Sequence, residues 1–142
     1  MAASRAVRRL LHLREMEEEQ SAARLESALG ELRRLKAVQA AARSCERSGR
    51  RLVAASAQTG ELADRLAGAE EVIAARRHAA ASEPKIRTAE QVVALSREEF
   101  LAKRVARRQV ELLIRQAEAE EAREAERRAQ SETDDWFLRR TR

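Results

Sequence analysis

Large apolar residues recur along this chain on a beat of seven. Between residues 85 and 138, Ile86, Val93, Phe100 and Ile114 keep that interval, and Arg107 fills the one vacant step. Val110, Leu113 and several alanines thicken the same side. Such a repeat gives a helix one narrow apolar seam, the pattern of a coiled coil rather than of a helix in a globular core. The stretch is rich in Ala, Glu, Arg, Leu and Gln, which favour helix, and from Lys85 onward it has no Gly or Pro. It predicts a helix over about 83–138, about 80 Å long at 1.5 Å per residue.

A second seam lies near the start. Val7, Leu11, Leu25, Leu29, Leu32 and Leu35 follow three- and four-residue steps, and Leu11, Leu25 and Leu32 share one seven-residue register with Glu18 in the empty slot. This predicts a helix over about 4–57, with Ser4 as a candidate cap and residues 14–21 as a weak, polar part of the seam. Ser44, Ser48 and Gly49 are candidate loosening points. Gln58-Thr59-Gly60 is the best turn signal in the chain.

Between the long helices, Leu62, Leu66, Ala69 and Ile73 step by four, three and four. They predict a short middle helix over about 60–80. Ser82 is placed to cap the next helix, with Pro84 in its first turn. The alternative is one long second helix kinked at Pro84.

The predicted fold is therefore all-α: an elongated antiparallel two-helix coiled-coil hairpin with a short middle helix, in a single domain over 1–142. Two helices of similar length with one seam each close on each other within one chain, so the isolated protein is expected to be a monomer. In this arrangement residues 25–38 face roughly 109–117, and residues 14–21 face roughly 118–128. Both chain ends share one tip, and the middle segment caps the other.

Composition agrees with this shape. The chain is 37% charged and 2% aromatic, too poor in large apolar side chains for a thick core with a pocket. Its net charge of +5 is spread among finely interleaved acids and bases, the usual exterior of a long helix. Cys45 is the single cysteine, so no internal disulfide can form and the reducing cytosol is the expected home. No apolar run approaches the ~18 residues that a bilayer span requires, so no membrane insertion is expected.

The chemistry of catalysis is missing from the sequence. There is no phosphate-binding glycine loop, and His12, His78 and Cys45 stand too far apart in the chain to suggest a metal-ligand set. No catalytic, cofactor or metal residue is assigned, and an enzyme is not expected. Basic groups at Arg43, Arg47, Arg50, Arg51, Arg104, Arg107 and Arg108 lack interleaved aromatics to stack bases, which argues against nucleic acid.

The two ends stand out as candidate partner-binding residues. The first group is Arg5, Arg8, Arg9, Leu11 and Arg14; the second is Trp136, Phe137, Leu138, Arg139 and Arg140. The second holds two of the three aromatics in the protein, and Trp and Arg are the side chains most enriched where binding energy concentrates.

The basic, Leu-rich opening from Arg5 to Leu25, with its acidic patch Glu15, Glu17, Glu18 and Glu19, resembles the start of FliJ-like proteins. The latter part, from Arg107 through Val110, Leu113 and Ile114 to Asp135, is similar to the last helix of the related YscO group. These families are the stalk components of flagellar and virulence type III export ATPases. The resemblance implies a cytoplasmic coiled-coil stalk at the inner-membrane export apparatus. It also implies a tip carrying both termini that enters a hexameric export ATPase, contact with the export gate protein, and a link to export chaperones. Two rivals stand beside it: a structural coiled coil that self-associates through Ile86, Val93, Phe100 and Ile114, and a basic binder of nucleic acid or anionic surfaces.

Overall fold

The computed structural model describes residues 5–140; the Ser4 cap lies outside them. Two α-helices account for all of these residues except Gly60 and Glu61: α1, Arg5–Thr59, and α2, Leu62–Arg140. No strand occurs among the described residues. Gly60 ends α1 in the left-handed region, at φ +75°, and its N–H donates to the carbonyl of Ser56 at 2.8 Å. That is the helix stop for which glycine is favoured, because it has no Cβ to strain.

The helices build two compact units, a turn unit, Ala23–Glu98, and a terminal unit, Met1–Ala22 with Glu99–Arg142. In the turn unit the burial ladder keeps a seven-residue interval on both helices. On α1 the buried rungs are Leu35, Ala42, Gly49 and Ser56; on α2 they are Gly68, Ala75 and Ser82, with Ile86 and Val93 on the adjoining line. Most of these are small, so the backbones come close. A Cβ on Gly49 would stand 2.7 Å from the carbonyl oxygen of Gly68, and a Cβ on Gly68 would stand 2.7 Å from that of Gly49. Gly49 therefore does not loosen α1; it lets α1 approach the backbone of α2 at Gly68, a geometry that also allows Cα–H···O contacts. The buried hydroxyls of Ser56 and Ser82 donate to carbonyls of their own helices, Val53 and Ala79, so their burial leaves no donor unmet.

Cross-helix ion pairs fix the direction and register of this unit. Lys36 lies 3.1 Å from Glu90, and Arg76 lies 3.0 Å from Glu46, which Arg50 also holds at 2.6 Å. Hydrogen bonding to Arg76 holds the Glu46 carboxyl below its ordinary range. The helices are antiparallel, but the expected register is corrected: α1 around Lys36 faces α2 around Glu90, not residues 109–117.

The short middle helix is also corrected. Residues 62–78 are the first part of α2 and pack along α1 through Gly68 and Ala75 instead of capping an end. The helix passes through Pro84. Pro84 is exposed, as is Ala80, whose carbonyl loses its usual partner; water can serve a carbonyl on that face. Buried Ala75, Ser82, Ile86 and Val93 on either side hold the helix against α1, and tertiary packing outweighs the local penalty.

Candidate functional site

The terminal unit has a ladder of its own, with charges in it. Val7, Arg14 and Ser21 occupy one line of α1, and Leu11 and Glu18 the other; on α2 the positions are Phe100, Lys103, Arg107, Val110 and Ile114. Glu18 and Arg107 each fill the vacant step of an otherwise apolar line, and they meet. The Arg107 guanidinium donates to Glu18 and, at 2.6 Å, to Glu111. The side chains of Arg107 and Glu18 keep only 22% and 17% of full exposure, so the pair is largely inside the seam. The bond to Glu18 pushes the Arg107 guanidinium above its ordinary range. Beside this layer, Arg14 donates to Glu17 at 2.8 Å and Lys103 lies 3.7 Å from the same carboxylate. The Arg14 hydrogen bond is the main reason that the Glu17 carboxyl titrates below its ordinary range. Ser21 is buried and donates to the Glu17 carbonyl.

Single-sequence reasoning missed this network, although its signal was present. Two opposite charges each make the gap in an otherwise apolar line, and aligning the gaps sets the register. That alignment replaces the expected pairing of residues 14–21 with 118–128.

The same register separates the two groups of candidate partner-binding residues. Arg8 of α1 lies 4.0 Å from Glu118 of α2, so residues 5–14 lie along the part of α2 near that glutamate. Trp136 is eighteen residues further along α2, about 27 Å at 1.5 Å per residue. The shared tip is thus corrected: α2 carries its aromatic cluster well past the start of α1, and every residue from 122 to 140 is exposed.

Within the first group, Arg5, Arg8 and Arg9 are exposed, while Leu11 and Arg14 are half-buried in the seam. The second group is exposed, with Trp136 at 52%, Phe137 at 57% and Leu138 at 66%. The Trp136 and Phe137 rings meet edge to face, 5.1 Å between centroids and 79° between planes. The Arg140 guanidinium lies 4.8 Å from the centre of the Trp136 ring, a cation–π arrangement allowed by one helical turn of spacing. Arg139 and Arg140 occupy the last described turn of α2, where positive charge suits the helix dipole.

Among the described residues no group of three or more His, Cys, Asp or Glu is placed to hold a metal ion. No helix there is long and apolar enough to cross a membrane. Cys45 is a free, exposed thiol. No family model matches the chain, and neither a curated protein nor a solved structure matches it.

Proposed function

We propose that this chain is a non-enzymatic coiled-coil stalk of a type III protein export apparatus. In this reading α1 and α2 form a coiled-coil hairpin, and the extension of α2 beyond α1 docks in the bore of a hexameric export ATPase. The carrying observation is the Trp136-Phe137-Arg140 cluster, exposed on a helix that α1 no longer accompanies. Two rings in edge-to-face contact, with an arginine over one of them, are a compact anchor of the kind that dominates binding energy. The resemblance of the opening and latter stretches to FliJ-like and YscO-like proteins supplies the partner's identity. Contact with the export gate and with export chaperones belongs to the same reading.

The test is the double variant W136A/F137A, mixed with a hexameric type III export ATPase. Helix content by circular dichroism should stay unchanged, because both rings are exposed. Binding to the ATPase and stimulation of ATP hydrolysis should fall at least ~10-fold, the loss of one good hot spot. Full binding and stimulation by the variant would sink the proposal.

A further inference from the structure

The face of α2 that points away from α1 in the terminal unit has a pattern of its own. Leu101, Val105, Leu112 and Ala119 fall on one stripe of four- and seven-residue steps, and Ala129 and Trp136 join it on the 3.5-residue turn that a coiled coil imposes; all are exposed. The stripe is half a turn away from the buried and half-buried positions Lys103, Arg107, Val110 and Ile114. A helix with apolar stripes on two opposite sides has more to bury than one partner helix covers.

Charge divides this stripe lengthwise. Residues 101–117 hold five basic and one acidic side chain, a net of +4, whereas residues 118–135 hold eight acidic and three basic, a net of −5. On the outer face this becomes Arg104, Arg108 and Arg115 beside the leucines, and Glu126 and Glu132 beside the alanines. Among the described residues none of these five makes an ion pair or a side-chain hydrogen bond, unlike Arg107, Lys103 and Glu17 on the seam side.

We infer that this face pairs with the same face of a second copy of the chain, antiparallel, about a twofold axis near Ala119. A basic segment followed by an acidic one is complementary to itself when reversed. The reversal brings Arg104 across from Glu132 and Arg108 across from Glu126, twice each. It also sets Leu101 near Trp136 and Ala119 against its own copy. Parallel pairing would put basic on basic and is excluded by the same charge pattern. The hairpin of each copy stays closed, because the seam takes no part. This departs from the monomer expected of a one-seam hairpin, and from a self-associating coiled coil that pairs through Ile86, Val93, Phe100 and Ile114. It does not depend on the export reading; because it covers Trp136, the dimer and the bore-docked hairpin are alternative states of the chain.

Charge reversal tests it without an ATPase. The wild-type chain should dimerise in sedimentation equilibrium at low salt and weaken as salt screens the pairs. E126R/E132R and R104E/R108E should each keep native helix content and lose dimerisation by ~100-fold or more. Their equimolar mixture should dimerise again, since all four facing pairs are then opposite in sign. In a Cys45→Ser background, Ala119→Cys should form a disulfide with its own copy. A wild-type monomer at every concentration and salt, or dimers of each reversed variant alone, would overturn the inference. So would a mixture that stays monomeric, or an Ala119→Cys variant that does not cross-link.

Discussion

The turn unit and the terminal unit use the same seven-residue ladder and fill it in opposite ways. In the turn unit most rungs are small and uncharged, Ala42, Gly49, Ser56, Gly68, Ala75 and Ser82 among them, with Leu35, Ile86 and Val93 as the large ones and the half-buried carboxylate of Glu46 beside them. In the terminal unit they include Arg14, Glu18, Lys103 and Arg107. Small rungs let two backbones approach and gain dispersion contacts along their length. Charged rungs stabilise only when both partners are present, because an unpaired charge in a seam loses its hydration without compensation. The comparison teaches that the first unit aligns its helices by where two backbones can touch, and the second by a charge pair within the seam. A slip would bring a Cβ to where only Gly49 and Gly68 fit in the one, and would separate Glu18 from Arg107 in the other.

Substitutions can break this contrast. The largest loss is expected from Gly49→Leu. Its side chain meets the backbone of Gly68 and cannot be accommodated without parting the helices. Urea unfolding should lose about 3 kcal/mol, the upper part of the range for overpacking. Ile86→Ala removes one of the few large buried side chains of the turn unit and should cost about 2–3 kcal/mol in the same assay. Gly30→Ala, which meets no neighbour, is the control and should stabilise by up to about 1 kcal/mol through helix propensity.

The terminal unit should respond differently. Glu18→Leu alone leaves Arg107 without its cross-helix partner, and amide hydrogen exchange should quicken in residues 5–22 while the turn unit keeps its protection. Adding Arg107→Leu should restore protection, with a coupling between the two positions in a double-mutant cycle. Exchange that quickens equally in both units would show that the charged layer does not act locally.

The smallest effect is the pH dependence. Glu46 in the turn unit and Glu17 in the terminal unit both titrate below the ordinary value of 4.5. A carboxyl with a lowered folded pKa favours folding fully above its unfolded pKa, and that contribution disappears as pH falls through the folded value. Thermal melts should therefore be flat from neutrality down to about pH 5 and fall below it. A melting temperature that rises on acidification would contradict both assignments.

The helical class and both seven-residue lines were legible, because Ile86, Val93, Phe100 and Ile114 on one side and Leu11, Leu25 and Leu32 on the other differ sharply from their neighbours. The small rungs were not. Ala42, Gly49 and Gly68 carry little hydropathy, so the pattern of large apolar residues does not mark the backbone approach of Gly49 to Gly68. For the same reason residues 62–80 read as a separate helix: Leu62, Leu66 and Ile73 stand out in the sequence, yet all three are exposed, and Gly68 and Ala75 face α1. Pro84 reads as a boundary on local rules alone, and only the burial of Ser82 and Ile86 shows why the helix passes it. At the candidate site the aromatic pair was legible, but its distance from the start of α1 depended on a register that no single segment contains.

The contact between Gly49 and Gly68 has an evolutionary consequence. In an ordinary core a bulkier residue at one position can be offset by a slimmer one opposite. Here the obstacle is a main-chain oxygen on each side, and no codon change can trim that. Neither glycine can therefore drift with help from the other, and lineages that lose one must remodel the whole approach of the two helices or forgo it.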